Sequence, residues 1–138
     1  TGPKVIEFNA RFGDPETQVV LARLESPLSE IISSLLVKEQ PTIAWNELAS
    51  VGVVVAAEGY PNQYKTNLPL PEMSGETIYY AGVTRSEQAL VSAGGRIFLA
   101  EATASTLEEA RKKVYQTLDN YSFPGMYYRK DIGVKGLI

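Results

Sequence analysis

The chain has 138 residues, of which 44% are hydrophobic and 21% charged, and its net charge is −3. This composition is typical of one globular domain, or of a piece of a larger protein, and the acidic balance argues against a nucleic-acid partner. The chain contains neither cysteine nor histidine, which excludes disulfides, thiolate metal sites and imidazole catalysis. Any bound metal should therefore be a hard cation held by oxygen atoms.

The composition also bears on the location of the protein. No apolar run approaches the roughly 18 residues that a membrane span needs, so we expect no membrane partner. The absence of cysteine fits a reducing compartment, and we expect a cytoplasmic protein. The chain begins at Thr1 without a methionine and enters a strand-like run at once. We expect a fragment of a longer protein, although processing or trimming would give the same beginning.

The first 40 residues predict one strand and two helices. Residues 5–12 alternate in polarity, which predicts a strand with its apolar side chains on one face. Asp14 and Pro15 then predict a helix that runs to about Leu24, with aspartate as the N-cap and proline at the first helical position. A second helix is expected after Ser26 and Pro27. Its apolar stripe recurs at helical spacing and should pack against a core: Leu28, Ile31, Ile32, Leu35 and Leu36.

The rest of the chain predicts a small β-rich domain with one helix. Residues 49–57 read as a buried central strand, residues 77–81 as a short strand, and residues 88–92 and 96–103 as a hairpin around two glycines. Thr106 and Glu109 form a capping box at the start of a helix. We predict an α+β fold, mainly antiparallel, with residues 1–40 belonging to one domain and residues 41–138 to a second, smaller one.

The first strand carries the residues with chemical content. Glu7 and Asn9 stand two residues apart, so their oxygen atoms share a strand face and can reach one Mg²⁺ ion, which prefers such ligands. Arg11 follows on the same face as a forked donor for phosphate oxygens. A divalent cation beside a guanidinium is suited to phosphoryl transfer. The alternative interpretation is an ordinary solvent-facing strand.

Residues 7–18, with the sequence EFNARFGDPETQ, closely resemble the metal-binding strand and following helix of the glycinamide ribonucleotide synthetases, which are ATP-grasp ligases. The resemblance continues in order through residues 49–61, the Gly94-Gly95-Arg96 turn and residues 123–133. It covers nearly the whole chain. The fold it implies is the end of an ATP-grasp domain followed by a small carboxyl-terminal domain.

The resemblance also implies the reaction and its cosubstrates. ATP, glycine and 5-phosphoribosylamine would give glycinamide ribonucleotide through a glycyl phosphate, as a step of purine biosynthesis. Glu7 and Asn9 would bind Mg²⁺ or Mn²⁺, and Arg11 would steady the transferring phosphate. The missing amino-terminal domains of the same chain would hold the nucleotide, so the fragment alone should be inactive.

Four further residues are implied as substrate contacts. Asp14 and Glu16 would lie near the amine-bearing substrates, and Gly95 with Arg96 would approach the ribose phosphate. Each has a plainer alternative: an N-cap for Asp14, a helix-dipole contact for Glu16, and an exposed hairpin arginine for Arg96.

One departure from the family stands out. The family often has a His-Ala-Gly-Thr run where this chain has residues 80–83, YAGV, so no role is assigned there. Two other functions stay open, a non-catalytic binding module on the same fold and a fragment of a biotin-dependent carboxylase. The carboxylases place a histidine soon after their Glu-x-Asn-x-Arg strand, and this chain has none.

Overall fold

A four-stranded antiparallel sheet in the order β2-β5-β1-β6 forms the centre of the molecule. The computed structural model describes residues 2–8, 10–74, 77–87 and 89–137. In chain order the elements are α1 (Glu16–Leu21), α2 (Leu28–Leu36), β1 (Ala49–Ala57), β2 (Thr77–Tyr80), β3 (Val83–Arg85), β4 (Leu90–Ser92), β5 (Arg96–Ala104), α3 (Leu107–Asp119), β6 (Met126–Tyr128) and a 3-10 helix (Val134–Leu137). The predicted α+β class is confirmed.

The core lies between this sheet and α3. Strands β1 and β5 are the two central strands, and both contribute fully buried side chains, among them Val53, Val55 and Phe98. Helix α3 covers this face with Val114 and Leu118, which are also fully buried. Burying each large apolar side chain contributes roughly 1.5–3 kcal/mol, so this layer supplies most of the stability of the fold. The predicted central strand is confirmed with its bounds.

Helix α1 packs against the opposite face of the same sheet. A Cβ atom on Gly52 of β1 would lie 2.6 Å from Cγ2 of Val19, so glycine allows α1 to approach the strand closely. The segment after α2 returns beside α1, where Leu24 and Trp45 form an isolated antiparallel bridge. The division of the chain at residues 40 and 41 stays a prediction.

The predicted hairpin is wrong in its pairing. Strand β4 pairs with β3 in a separate two-stranded sheet, whereas β5 pairs with β1 on one edge and with β2 on the other. Both edges of β5 are therefore occupied, and none is left for β4. The intervening turn crosses between the sheets, and the carbonyl of Gly82 accepts hydrogen bonds there from the amides of Ala93 and Gly94.

The predicted strand over residues 5–12 is not formed in the part of it that the structure describes, residues 5–8 and 10–12. Residues 2–8 and 10–12 have no regular secondary structure, and the side chains of the predicted apolar face are exposed, at 96% for Ile6 and 89% for Phe8. A strand needs a neighbour to pair its backbone groups. None of the strands in the described part of the chain pairs with this segment. Alternation indicated two faces and could not supply that neighbour.

The two amino-terminal helices depart from expectation in different ways. Helix α1 is shorter than predicted, and its N-cap is Pro15 instead of Asp14, with no side-chain capping bond. Helix α2 begins as predicted after Pro27. Its apolar stripe does not pack as expected, since Ile31 is buried while Leu36 is 79% exposed.

The last helix and the chain end are tied together by polar contacts. The Thr106 hydroxyl accepts a hydrogen bond from the Glu109 amide at 3.2 Å, which confirms the predicted cap of α3. At the other end of α3, Asp119 accepts from Lys130 Nζ at 2.6 Å and from the Tyr128 hydroxyl at 2.7 Å. These bonds fasten β6 to the end of the helix. None of the described helices is long and apolar enough to cross a bilayer.

Candidate functional site

The structure brings two predicted substrate residues into direct contact. Asp14 and Arg96 are 82 positions apart in the chain, yet Oδ2 of Asp14 lies 3.0 Å from Nη2 of Arg96. Nη1 of the same guanidinium donates a hydrogen bond to the Asp14 carbonyl at 2.8 Å. Because the two side chains are 45% and 40% exposed, the ion pair itself contributes little stability. Its consequence is to fix the position of an accessible guanidinium.

A bulge in the sheet aims Arg96 at Asp14. Between β1 and β5 the register advances from Val55 paired with Phe98 to Ala56 paired with Arg96, so β5 contains one extra residue. Regular alternation would have placed Arg96 on the face of Phe98, beneath α3. The bulge turns it to the face on which α1 lies, as bulges beside functional sites commonly do.

Gly95 occupies a position that only glycine fits without movement. The backbone at this position is fixed, because the Gly95 carbonyl accepts a hydrogen bond from the Ala57 amide at 2.8 Å. A Cβ atom there would lie 2.7 Å from Cε2 and 3.1 Å from Cγ of the Tyr60 ring, and closer still to Cδ2. The turn preceding Arg96 is therefore held against Tyr60. This packing accounts for a glycine at position 95 without any substrate contact. The predicted contact between Gly95 and the substrate stays a prediction.

The amino-terminal segment presents its polar groups to solvent. Glu7 and Arg11 are exposed, and Nη1 of Arg11 donates to the Phe12 carbonyl at 3.0 Å. Asn9 lies outside the described residues, so the structure does not test the predicted metal pair. No group of three or more acidic side chains that could hold a metal ion occurs among the described residues. A cation bound at Glu7 would need further ligands from elsewhere.

Glu16 lies in the first turn of α1 and is exposed. Its carboxylate folds back over Gly13, where a Cβ atom would lie 3.0 Å from Cδ of Glu16 and closer to Oε2. The contacts of the described residues do not join it to the Asp14–Arg96 pair. Its position fits the helix-dipole interpretation, and its substrate role stays a prediction.

Gln18 belongs to this site, although sequence reasoning missed it. Its Nε2 donates to Oδ1 of Asp14 at 3.0 Å, and both residues line a cavity of about 10 Å³ together with Arg96 and Tyr79. Burial, and then the charge of Glu101, raise the pKa of Tyr79 above its ordinary value, so its hydroxyl stays protonated. The spacing of four residues from Asp14 was the available signal, because such residues are neighbours at a helix start.

Two larger grooves of the described chain contain none of the predicted site residues. One, of about 630 Å³, lies between the turn after β1 and the loop before β6. The other, of about 450 Å³, lies between α1 and β1 beside Trp45. The predicted residues are thus gathered on an open surface around Arg96 and along the exposed amino-terminal segment.

Comparison with known proteins agrees on one family. The model of the phosphoribosylglycinamide synthetase C domain matches residues 50–135. The chain is 50% identical to the phosphoribosylamine–glycine ligase of Halalkalibacterium halodurans over 99% of its own length and 33% of that protein. It is 49% identical to the ligase of the same name from Lactococcus lactis subsp. lactis, again over 99% of this chain and 34% of the relative.

A solved structure shows the same fold. The crystal structure of the phosphoribosylamine–glycine ligase from Thermotoga maritima superposes with a TM-score of 0.83 at 31% identity. The match covers 94% of this chain and 33% of that one. The chain thus spans about a third of the length of the relatives it matches.

Proposed function

The chain belongs to the family of the phosphoribosylglycinamide synthetase C domain, and from this premise we propose that it is the carboxyl-terminal part of a phosphoribosylamine–glycine ligase. The observation that carries the proposal is the 50% identity to a ligase of that name over 99% of this chain. The family match favours this function over the biotin-dependent carboxylase alternative. The protein would act in the cytoplasm, in purine biosynthesis.

The proposed reaction joins glycine to 5-phosphoribosylamine with ATP. An oxygen of the glycine carboxylate attacks the terminal phosphorus of ATP, which gives glycyl phosphate and releases ADP. The amine nitrogen of phosphoribosylamine then attacks the acyl carbon, loses a proton and expels inorganic phosphate. Both steps gather negative charge on phosphate oxygens, so positioned cations are the main catalytic requirement.

The Asp14–Arg96 pair is suited to binding the phosphorylated amine. A guanidinium has five N–H donors, and Asp14 engages two of its nitrogen atoms, Nη1 and Nη2. The remaining donors and the exposed part of the side chain are available to a phosphate group, for which arginine is well matched. We assign this contact to the ribose phosphate, with Gly95 forming the adjoining turn. Asp14 and Glu16 would lie beside the amine-bearing substrates.

The amino-terminal segment would serve the phosphoryl-transfer step. Arg11 is exposed and carries a fixed positive charge, so it can approach the transferring phosphate. Glu7 offers carboxylate oxygen, a ligand that Mg²⁺ and Mn²⁺ accept, and Asn9 would add an amide oxygen. A divalent ion held there would supply positive charge against the nucleotide phosphates. The other ligands and the nucleotide pocket would come from the domains upstream.

The exposed apolar side chains of the amino-terminal segment fit a contact between this segment and the upstream domains. Val5, Ile6 and Phe8 lie in the same segment as Glu7 and are largely exposed in the isolated chain. In the complete enzyme they would be covered when the segment pairs as a strand in the upstream domain. Such pairing would also place Glu7, Asn9 and Arg11 on one strand face, as the sequence predicted.

The test is an assay of the complete protein that contains this chain. We expect ADP formation that requires both glycine and phosphoribosylamine, with glycinamide ribonucleotide as the product detected by mass spectrometry. The 138-residue chain alone is the matched control, and it should form no ADP. A complete protein that binds glycine or ATP but never releases ADP would instead support the non-catalytic binding module.

A further inference from the structure

The side-chain amide of Gln18 on α1 has one hydrogen-bonded end and one buried end without a partner among the described residues. Its Nε2 donates to Oδ1 of Asp14 at 3.0 Å. Its Oε1 is shielded from solvent and has no hydrogen-bond partner among the residues that the structure describes. The side-chain amide of Gln18 cannot be flipped by 180°. Its Oε1 would then face Oδ1 of Asp14, and both oxygens only accept hydrogen bonds. The contact with Asp14 therefore holds the side chain in an orientation that leaves a buried acceptor unsatisfied.

Such an arrangement is unfavourable for folding alone. A buried carbonyl without a partner keeps its full desolvation penalty, whereas an apolar side chain of similar shape would not. Departures from this rule in native proteins concentrate at functional sites. The unsatisfied Oε1 of Gln18 therefore points to a functional role for the hydrogen bond between its Nε2 and Asp14.

Every oxygen of Asp14 has one partner. Oδ1 accepts from Gln18, while Oδ2 and the main-chain carbonyl both engage the guanidinium of Arg96. The Asp14 carboxylate is 45% exposed, so water competes for it. Without the bond to Oδ1 the carboxylate could rotate and present either oxygen to Arg96 or to solvent. The orientation of Arg96 thus depends on Gln18, although the two are not bonded to each other.

We infer that Gln18 is a positioning residue that acts through Asp14 to orient the Arg96 guanidinium toward the phosphate of the phosphorylated amine substrate. This inference rests on the proposed function. Gln18 does not itself touch the substrate, because the cavity beside it measures about 10 Å³ and holds at most one water. The charged or titratable side chains around that cavity are Asp14, Arg96 and Tyr79.

Two substitutions in the complete ligase test the inference. Gln18→Met removes the donor and the buried acceptor while keeping the shape, and Gln18→Glu places a second carboxylate against Asp14. At about pH 8 each should raise the KM for phosphoribosylamine roughly tenfold, the effect of weakening one charge-assisted hydrogen bond. The KM values for ATP and glycine should stay within about twofold of the unmodified enzyme.

The pH dependence separates positioning from a structural effect. Two adjacent carboxylates can share one proton, so the side chain introduced by Gln18→Glu can again donate to Asp14 when it is protonated at lower pH. The KM ratio of Gln18→Glu to the unmodified enzyme should therefore shrink toward about pH 6, while that of Gln18→Met should not. Gln116→Glu, the same change on an exposed glutamine of α3, is the control and should change no KM.

The outcomes are distinguishable. A KM for phosphoribosylamine that is unchanged in both variants, or an equal rise in all three KM values, would overturn the role of Gln18 and leave the proposed function standing. If the unmodified complete enzyme forms no glycinamide ribonucleotide, the proposed function fails and the inference fails with it. Unfolding midpoints measured for each variant show whether any loss reflects folding.

Discussion

Replacing Gly95 by alanine should reveal how tightly the turn before Arg96 is packed. The added Cβ atom would lie 2.7 Å from Cε2 and 3.1 Å from Cγ of Tyr60. Carbon atoms in contact normally stay about 3.5–4.0 Å apart, so the ring, whose Cδ2 lies nearer still, would have to withdraw by more than about 1 Å. The backbone of Gly95 is outside the left-handed region, so alanine adds no backbone strain.

The expected free-energy change follows from two opposing effects. Overpacking destabilises by about 1–3 kcal/mol, whereas Gly→Ala stabilises by about 0.4–1 kcal/mol through the unfolded chain. Gly95→Ala should therefore lower the free energy of unfolding by about 1–2 kcal/mol, measured by urea denaturation.

A double-mutant cycle assigns that penalty to Tyr60. In a Tyr60→Ala background the ring is gone, so adding Gly95→Ala should be neutral or slightly stabilising. Equal penalties for Gly95→Ala in both backgrounds would refute the packing explanation. The glycine would then have to be required for another reason, such as its approach to the ribose phosphate.

Two further predictions concern stability. Leu118→Ala should lower the free energy of unfolding by about 2–5 kcal/mol, because the Leu118 side chain is fully buried between α3 and the sheet. Leu36→Ala, on the exposed face of α2, should change it by less than about 0.5 kcal/mol. Similar values for both substitutions would contradict the core assignment. The hydrogen bond from Lys130, and then the one from Tyr128, lower the pKa of Asp119 below its ordinary 3.8. The stability that the ionised Asp119 carboxylate contributes is therefore fully present above pH 3.8 and is lost as the pH falls through the lowered pKa. Asp119→Asn should make acid unfolding less steep in this range, and an unchanged acid titration would show that the contact with Lys130 has no effect on stability.

Elements with strong local signals were predictable from the sequence. The bounds of β1 follow from a run of β-branched and small apolar residues between polar segments, and the start of α3 follows from Thr106 and Glu109. Both signals act over a few neighbouring residues. Local chemistry is therefore enough to locate these elements, although not to pair them.

Partners distant in sequence were not predictable in this way. The hairpin prediction failed because β5 pairs with β1 and β2, strands that the local turn does not reveal. The segment over residues 5–12 has the alternation of a strand but no partner strand in the described part of the chain. Pairing depends on the whole sheet, and alternation alone cannot report it.

The candidate site shows the same division. The resemblance singled out Asp14 and Arg96 separately, but their contact depends on the β-bulge before Arg96 and on the packing of α1 over Gly52. Gln18 lies within the resembling motif, but its spacing of four residues from Asp14 does not by itself distinguish a site residue from any other neighbour at a helix start. Its role emerges only from the buried oxygen and the bond to Asp14.

The proposed ligase depends most directly on Glu7 as a ligand for the divalent cation. The decisive measurement is the Mg²⁺ dependence of glycinamide ribonucleotide formation by the complete enzyme carrying Glu7→Gln. Glu25→Gln, on another exposed glutamate, serves as the matched control. We predict that Glu7→Gln lowers the rate at saturating substrates by about 10²-fold or more and raises the Mg²⁺ concentration needed for half-maximal rate, because a metal clamp is weakened. A Glu7→Gln enzyme with the rate and Mg²⁺ dependence of the control would contradict the assignment of the metal site to this segment.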